Sequence, residues 1–482
     1  MRQQPVDFAT DATCFVVPDA VSALECRALI AKAEAAGIRA TQPDYPPSYR
    51  NNDRLVFDDP ELAAWLYERL RPVLPLHLQD EHGSLTCSGL NPRFRVCRYQ
   101  DGQSFRIHQD GAHAQDAETQ TRLTCQLYLN SAEEFSGGAT RFYAKAQGPL
   151  LGSVWPVCGS VIVFDHQLWH DGQPVTDGCK YVLRSDVLYR RSGPAQDPIA
   201  AQLDDCLSGH RGYVWSVVSI GPGRLASASR DRTIRIWDTA GPRPQCMATW
   251  NAAAASVSCL AHHDGALFSG SRDHSVTRWD VQTGVPTVVL RGDGAVLCLV
   301  SHGGQLLVSA ADGRLTALAA DGTCLQTLSL SPTWLWSVAS VSSEHVICGD
   351  EAGVLRLLSL PTLQDESAPG RGAVHALVAL GDGRFCAGFA SGQLAVYEVR
   401  HGRLHEQHVW QAHQGEIYAV VHQQGLLASG GEDGLLQQWD ITGTPRQVSS
   451  HSHPGFVRSV AVDAQGTLWT GCYDHNIRRF VR

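Results

Sequence analysis

Three side chains in the first half of the chain have the chemistry to hold one metal ion together. His108 and Asp110 are two positions apart, and His170 lies further along the chain. The residues around the pair predict a strand over 105–110, and side chains i and i+2 of a strand point to the same side. Both can therefore approach one ion. Two histidines and one carboxylate on one face of an octahedron, with three positions left open, are typical of non-haem iron(II) oxygenases.

The surroundings of these three residues resemble the prolyl 4-hydroxylase-like branch of the 2-oxoglutarate dioxygenases, over roughly residues 14–190. The resemblance depends on five stretches: RYQDGQSF at 98–105, YLN at 128–130, GGATRF at 137–142, WHDGQPV at 169–175 and GCKYVLR at 178–184. A His-x-Asp pair alone occurs by chance in many chains. The stretches around it therefore carry more weight than the pair itself.

The resemblance implies a fold, a ligand set and a reaction. The fold is a double-stranded β-helix, or jelly-roll, and the iron(II) ligands and catalytic residues are His108, Asp110 and His170. The distal carboxylate of the cosubstrate 2-oxoglutarate is expected to pair with Lys180, and Tyr99 matches a tyrosine that contacts this cosubstrate. The implied reaction oxidises 2-oxoglutarate with O₂ to succinate and CO₂ and hydroxylates a C–H bond. L-Ascorbate would keep the iron reduced.

Two alternatives concern the cosubstrate anchor and the histidines. Lys180 is one of only three lysines in the chain, so its presence ten positions after His170 is a rare match. Arg184 lies on the same strand face and could share or take the role, because either residue offers a fixed cation to a carboxylate. His113 and His166 could replace a ligand. We interpret both as surface residues or neighbours of the ligands. Thr176, which is not a cation, lies ten positions after His166, and His113 has no carboxylate two positions further on.

Helices and strands must position these groups. Ser22 and Glu25 form a capping box that opens one helix, and Asp59-Pro60 opens a second that ends at about Leu70. A series of strands is predicted after residue 93, at 94–99, 105–110, 122–129, 140–143, 161–164 and 181–189. The fold class is therefore mainly β, with N-terminal helices that buttress the strands. Asp101 and Asp171 are interpreted as turn residues.

The second half of the chain repeats itself. Seven short apolar motifs begin at 214, 257, 296, 335, 374, 417 and 457. Their spacing of about 40 residues predicts a repeat architecture, and Gly and Asp-Gly turns separate short strands within each period. We predict two domains, 1–195 and 196–482.

This half resembles the WD-repeat β-propellers. The first repeat has the fullest pattern, with Gly209-His210, Asp231 and Trp237-Asp238. In that family the His, Asp and Trp join a Ser or Thr in a buried network. The chain ends with a segment that matches the third strand of a blade, so the seventh blade lacks its outer strand. We predict that a strand near 199–207 supplies it and closes a seven-bladed ring.

Composition narrows the partners and the location. The net charge is −9 and is spread over both halves, which argues against nucleic acid as a partner. No stretch predicts a signal peptide or a membrane span. The 15 cysteines are scattered and never form Cys-x-x-Cys, so we interpret them as reduced thiols packed as small apolar groups. A cytoplasmic location follows as the expectation, and the oligomeric state is left open.

Three functions fit these observations. The first is a protein hydroxylase, with prolyl residues as the leading target and the propeller as the surface that docks a protein or peptide. The second keeps the enzyme but gives it a metabolite substrate and the propeller a regulatory role. The third is a non-catalytic scaffold whose first half senses 2-oxoglutarate, iron or oxygen. Turnover of 2-oxoglutarate separates the third from the other two.

Overall fold

The computed structural model describes residues 3–480 except 7–11, 42–44, 47, 81–82, 101, 113–114, 116–117, 146–147, 192–205, 242, 360–361 and 368–369. The chain divides into two units, Met1–Ala201 and Gln202–Arg482. The predicted boundary after residue 195 lies outside the described residues. No described helix is long and apolar enough to cross a membrane.

Both predicted helices are present and begin where the sequence indicates. In α1 (Ala23–Ala36), Ser22 Oγ accepts from the Glu25 N–H at 3.3 Å and the Glu25 carboxylate accepts from the Ser22 N–H at 2.8 Å. In α2 (Pro60–Leu70), Asp59 accepts from the Leu62 N–H at 3.0 Å. These bonds satisfy N–H groups that have no partner inside a helix. The capping box and the Asp-Pro start are confirmed.

The first unit is mainly β-sheet. Its strands are β1 (Gln4–Pro5), β2 (Cys14–Val17), β3 (Arg39–Ala40), β4 (Asp53–Asp58), β5 (His77–Asp80), β6 (Gly83–Leu90), β7 (Arg93–Gln100), β8 (Phe105–His108), β9 (Thr119–Tyr128), β10 (Phe135–Gly137), β11 (Thr140–Tyr143), β12 (Leu150–Val154), β13 (Val161–Asp165), β14 (Trp169–Gly172) and β15 (Val175–Arg191). The larger sheet has the order β1-β2-β13-β9-β15-β7-β4-β3, with β10 and β6 also paired to β15 and β5 paired to β6. The smaller sheet has the order β12-β11-β14-β8.

The larger sheet is covered on both faces, and this explains its nearly continuous apolar strands. Successive side chains of a strand point to opposite faces. In β13, Val163 packs in one core cluster with Leu66 of α2, whereas Phe164 packs in a second cluster with Phe142 of the smaller sheet. The helices therefore buttress the outer face, as predicted, and the inner face meets the smaller sheet.

The second unit consists of four-stranded antiparallel sheets. In its described part there are seven: β17–β20 (Val214–Gly221, Arg224–Ser229, Thr233–Asp238, Gln245–Asn251), β21–β24 (Val257–His263, Ala266–Ser271, Ser275–Trp279, Pro286–Arg291), β25–β28 (Val296–His302, Gln305–Ala310, Arg314–Leu318, Cys324–Ser329), β29–β32 (Leu335–Ser340, Val346–Asp350, Leu355–Ser359, Thr362–Ser367), β33–β36 (Val374–Gly381, Arg384–Phe389, Gln393–Arg400, Arg403–Gln411), β37–β40 (Ile417–Gln423, Leu426–Gly431, Leu435–Asp440, Arg446–Ser452), and β41–β43 (Val457–Val462, Leu468–Cys472, Ile477–Phe480) with β16 (Cys206–Leu207). Each predicted motif opens the first strand of one sheet.

The sheets follow one another around a ring. The first strand of each sheet lies against the first strand of the next, and β41 lies against β17. The outer strand of the last sheet is β16, where Leu207 pairs with Ile477 and Cys206 with Arg478. The rest of the predicted closing strand, 199–205, lies outside the described residues. In the described part, this sheet therefore joins residues from the beginning and the end of the unit.

Candidate metal centre and cosubstrate pocket

The smaller sheet brings the two candidate histidines together. Strands β8 and β14 are antiparallel neighbours, and His108 lies directly opposite His170. The prediction that Asp110 shares the strand of His108 is wrong, because β8 ends at His108. The Asp110 N–H instead donates to the carbonyl of His166 at 3.0 Å. Its carboxylate nevertheless faces both histidines, with Asp110 Oδ1 and Oδ2 each 3.5 Å from an Nε2 atom.

The orientation of the two imidazoles suits a metal ion. His108 Nδ1 lies 2.7 Å from the Arg106 carbonyl and His170 Nδ1 lies 2.9 Å from the Leu168 carbonyl. With carbonyls as acceptors, each Nδ1 carries the proton and each Nε2 offers a lone pair. The ligand atoms of His108, Asp110 and His170 all lie within 4.8 Å of one another. Among the described residues, the buried His108 Nε2 has no hydrogen-bond partner, as a metal-ligating atom requires.

Asp110 is held as a carboxylate by two neighbours. Arg184 Nη2 lies 2.5 Å from Oδ1, and the Thr124 hydroxyl donates to Oδ2 at 2.5 Å. Burial alone would raise the pKa of Asp110, but the charge of Arg184 holds that pKa well below its usual range. The group is therefore ionised and oriented for a divalent cation. No pattern in the sequence singles out Thr124, since its partner Asp110 lies 14 positions away, past the end of β8.

Aromatic rings hold both imidazoles in place. Burial, together with the nearby His108, lowers the pKa of His170 to about 3. The His108 ring stacks on Phe105 with centroids 3.7 Å apart, and the His170 ring meets the edge of Phe164 at 4.7 Å. Neutral, immobilised imidazoles are the form that coordinates metal ions. Iron(II) fits this donor set, because the three groups leave part of the coordination sphere open.

Lys180 forms a second feature of the site. It pairs with Tyr99 across β15 and β7 and is 3% exposed. Its Nζ donates to the Gly138 carbonyl at 2.6 Å and lies 5.2 Å from the Tyr99 ring centroid and 5.7 Å from that of Tyr128. It forms no ion pair with any residue that the structure describes. Burial lowers the pKa of Lys180 to about 8, and a buried cation of this kind suits an anionic ligand.

Arg184 has a different place in the site. Its guanidinium contacts the candidate metal ligand Asp110 and lies 3.9 Å from Asp186. The two carboxylates raise the pKa of Arg184 against the effect of burial. Because these acids already neutralise Arg184, the geometry favours Lys180 as the cation for a distal carboxylate.

His166 is a neighbour of the metal site. The alternative that it is a surface residue is wrong, since it is 5% exposed. Its Nε2 lies 3.6 Å from Asp186, the same carboxylate that approaches Arg184. The backbone carbonyl of His166 contacts Asp110 directly, whereas its imidazole is connected to that carboxylate only through Asp186 and Arg184. His113, the other alternative, lies outside the described residues.

Asp171 is not a turn residue as predicted. It lies within β14 and is 5% exposed. Arg141 Nε donates to its Oδ1 at 2.8 Å and the Tyr143 hydroxyl donates to its Oδ2 at 3.0 Å. The side chain belongs to a polar network next to His170, and this pairing across strands was invisible in the sequence. Asp101, the second expected turn residue, lies outside the described residues.

The second unit contains the buried network expected from its first repeat. His210 Nε2 lies 2.8 Å from Ser227 Oγ and Nδ1 lies 3.0 Å from Asp231. Trp237 Nε1 donates to the same Ser227 at 2.8 Å. Each polar group of the histidine is thereby satisfied although it is buried. The network fixes the loop before β17 to the strands that follow.

The first strands of the seven described sheets share a β-bulge at an equivalent position. In every first strand of a sheet the pairing register skips the second residue, which forms a β-bulge. The seven skipped residues are Trp215, Ser258, Leu297, Trp336, His375, Tyr418 and Arg458. We call them the bulge ring. Arg458 lies 5.3 Å over the Trp215 ring and 4.6 Å over Tyr418. Among the described residues, the buried Trp215 Nε1 has no hydrogen-bond partner.

The comparisons with known proteins agree with both halves. Residues 94–185 match the family model of the 2OG-Fe(II) oxygenase superfamily, and this range includes every candidate site residue. Residues 202–238, 244–280 and 404–440 match the WD domain, G-beta repeat model. The chain therefore carries a 2OG-Fe(II) oxygenase domain followed by WD repeats.

The curated relatives match the repeats. F-box/WD repeat-containing protein 9 of Bos taurus is 24% identical over 264 residues, which are 54% of this chain and 48% of that protein. Autophagy-related protein 16 of Arabidopsis thaliana is 26% identical over 246 residues, 48% of this chain and 46% of its own. The chain spans about half the length of these two relatives. The WD40 β-propeller domain of Doa1 superposes with a TM-score of 0.53 at 19% identity over 58% of this chain and 96% of the other, which supports the fold alone.

Proposed function

We propose that this protein is an Fe(II)- and 2-oxoglutarate-dependent hydroxylase that acts on a peptidyl residue, with proline as the leading target. The observation that carries the proposal is the convergence of His108, Asp110 and His170 in the oxygenase domain, with the buried Lys180 nearby. The two facing sheets of the first unit support a double-stranded β-helix. The ring of seven sheets supports a seven-bladed propeller, and the proposed boundary between the domains lies at 195–196.

The proposed roles of the site residues follow from their contacts. His108, Asp110 and His170 would hold iron(II), and Lys180 with Tyr99 would hold the distal carboxylate of 2-oxoglutarate. Arg184 keeps Asp110 ionised and in position. Iron bound here would supply the oxidising chemistry that couples conversion of 2-oxoglutarate and O₂ to succinate and CO₂ with hydroxylation of an unactivated C–H bond. L-Ascorbate is proposed as the reductant that restores iron(II), and the cytoplasm as the location.

The propeller is proposed as the surface that docks a protein or peptide. WD-repeat propellers commonly mediate protein interactions. The bulge ring supports this role because it gathers two tryptophans, a tyrosine and an arginine, the residue types enriched at binding hot spots. Arg458 lies over the Trp215 ring, and the Trp215 Nε1 donor has no hydrogen-bond partner among the described residues. A peptide with carbonyl or carboxylate acceptors would offer partners to these two side chains.

The test is succinate formation by the purified full-length chain with Fe(II), L-ascorbate and 2-oxoglutarate. The assay is run alone, with the protein fraction of a lysate and with its small-molecule fraction. We expect stimulation by the protein fraction and peptides in that fraction that gain one oxygen atom. Stimulation by the small-molecule fraction alone would favour a metabolite hydroxylase. If the protein binds iron but forms no succinate under any condition, the non-catalytic sensing scaffold would be the remaining function.

The docking role has its own variants. Trp215→Ala and Arg458→Ala should remove most of the stimulation by the protein fraction, because hot-spot residues carry most of the binding energy. Succinate formed without added substrate should not change. Met247→Ala is the matched control, since Met247 lies on the outer strand β20 and is 55% exposed. Equal stimulation of all three variants would contradict docking at the bulge ring.

A further inference from the structure

A second cation is buried in the core of the oxygenase domain. Arg50 is 5% exposed. Its Nε donates to Asn52 Oδ1 at 2.6 Å and its Nη2 donates to Cys97 Sγ at 3.1 Å. Within the described part of the chain, no carboxylate lies within ion-pair distance of this guanidinium. A buried charge without a counter-charge is strongly unfavourable. The guanidinium of Arg50 is therefore suited to bind an anionic group.

The chain around Arg50 is attached to the metal-binding strand. Arg50 forms a backbone bridge with Phe105 of β8, and the Arg106 N–H donates to the Tyr49 carbonyl at 2.9 Å. The guanidinium lies 4.3 Å from the centroid of the Phe105 ring, and the His108 ring lies 3.7 Å from the same centroid. Two groups this close to the centroid cannot occupy the same face of the Phe105 ring. The guanidinium and the imidazole therefore lie on opposite faces of that ring. Arg50 is therefore one ring away from a candidate metal ligand.

Arg50 and Lys180 face the same strip of strand β7. Cys97, which contacts Arg50, and Tyr99, which pairs with Lys180, are two residues apart and point to one side of the strand. Both pack in the core cluster between the two sheets. Two buried cations without a described acidic partner thus lie along a single wall of the site. One cation alone would suit a single point contact, whereas two suit a carboxylate with both oxygens engaged.

We propose that Arg50 binds the distal carboxylate of 2-oxoglutarate together with Lys180. The proposal rests on the proposed function and adds a residue to its cosubstrate site. The planar guanidinium can pair with both carboxylate oxygens, while the ammonium of Lys180 acts as a point charge. The ligand would then supply the counter-charge that Arg50 lacks. Arg50 is a cosubstrate-binding residue in this account and has no role in the metal site.

The test compares two ligands that differ only at the distal end. The full-length protein is loaded with Mn(II), and binding of 2-oxoglutarate and of 2-oxopentanoate is measured by calorimetry without O₂. 2-Oxopentanoate keeps the 2-oxo acid but has no distal carboxylate. Arg50→Gln should weaken 2-oxoglutarate binding roughly 10- to 100-fold, as expected for a lost charged hydrogen bond. Binding of 2-oxopentanoate should stay within about twofold, since its affinity does not include that bond.

Two further variants control for folding and charge. Arg98→Gln removes an arginine from the opposite face of β7, where it pairs with Asp53 at 2.7 Å, and should leave both affinities unchanged. Arg50→Lys keeps the charge but loses the fork, so its loss for 2-oxoglutarate should be smaller than that of Arg50→Gln. Melting curves show whether each variant is folded. If Arg50→Gln does not fold, the comparison of the two ligands is made with Arg50→Lys.

The outcomes separate this inference from the proposed function. An equal loss for both ligands, or no loss for 2-oxoglutarate, would overturn the role of Arg50 while wild-type binding still supports the cosubstrate. A wild-type protein that binds Mn(II) but not 2-oxoglutarate would overturn the proposed function and this inference together. A loss confined to 2-oxoglutarate supports both.

Discussion

The two halves of the chain differ in how often their characteristic side-chain groups recur. In the first WD repeat, His210, Ser227, Asp231 and Trp237 form a buried network. The sheets that begin at Val296, Leu335 and Val374 lack this set but have the same four strands. The candidate metal centre, in contrast, has one copy of each ligand among the described residues. The sheets of the second unit therefore form with or without one particular side-chain network. The candidate metal centre, by contrast, needs each of its three side chains.

The substitute networks show how the repeats compensate. In the fourth sheet, Asp350 is fully buried and accepts from Ser331 at 2.7 Å and from Arg356 Nη1 at 2.5 Å. In the fifth, Arg371 donates to the Tyr397 hydroxyl at 3.1 Å. Different residue types thus satisfy the buried polar groups at similar places in a sheet. A family pattern that describes only one of these solutions misses the others.

The largest expected effect separates the ligand His108 from its buried neighbour His166. His108→Ala removes a ligand, so we expect iron content and succinate formation to fall at least about 100-fold. His166→Gln should keep most of both, because the His166 imidazole is connected to the site only through Asp186 and the backbone bond to Asp110 does not need that side chain. The measurements are metal analysis after dialysis and succinate release. Iron lost from His166→Gln but retained in His108→Ala would reverse the assignment of the ligands.

The second effect separates the two cations on β15. Lys180→Met should weaken 2-oxoglutarate binding roughly 10- to 100-fold, through loss of a charged hydrogen bond, and leave iron binding unchanged. Arg184→Gln should mainly weaken iron binding, because Arg184 orients Asp110 at 2.5 Å. Both affinities are measured by calorimetry. Arg184 would be the anchor instead if its variant lost 2-oxoglutarate while Lys180→Met did not.

The third effect is a dependence on pH. Burial lowers the pKa of Lys180 to about 8, so the ammonium is present below pH 8 and is lost as the pH rises through that value. The affinity for 2-oxoglutarate should then fall by up to about tenfold per pH unit above pH 8. Lys180→Arg keeps its charge at these pH values and should show a flat profile. The same decline in both proteins would assign the titration to another group.

The smallest expected effect concerns the WD repeats, whose sheets form with different side-chain networks. His210→Ala leaves Ser227 and Asp231 without their buried partner and should lower the free energy of unfolding by about 1–3 kcal/mol. His408→Ala, at an exposed position of β36, is the control and should change little. Urea unfolding followed by tryptophan fluorescence measures both. A His210→Ala loss of the whole fold would mean that the repeats do not compensate for one another.

Much of the fold was predictable because local patterns determine it. The capping residues of both helices, the strands after residue 93 and the opening strand of each repeat follow from short stretches of sequence. The strands β1 to β6, β10, β12 and β14 were not predicted. β5 and β6 mix Gly, Ser, Gln and His with few apolar residues, so their pairing with each other and with β15 decides their structure.

The sequence pointed to the three candidate ligands that the structure brings together, but not to their supporting contacts. The spacing of His108 and Asp110 indicated a candidate metal site even though Asp110 lies past the end of the strand. The bonds of Arg184 and Thr124 to Asp110 connect strands β15 and β9 to a residue past the end of β8, and single-sequence patterns carry no information on such pairs. The same applies to Arg50, whose segment has no regular pattern and is placed by its bridge to β8.

The most direct test of the central claim is iron-dependent turnover of 2-oxoglutarate by the isolated protein. Purified wild-type chain, His108→Ala and Lys180→Met are each given Fe(II) and 2-oxoglutarate in air, and succinate is measured over time. We predict that the wild-type chain binds one iron and forms succinate. His108→Ala should form none, and Lys180→Met should form succinate only at high concentrations of 2-oxoglutarate. Stoichiometric iron on the wild type with no succinate at any 2-oxoglutarate concentration would contradict the account.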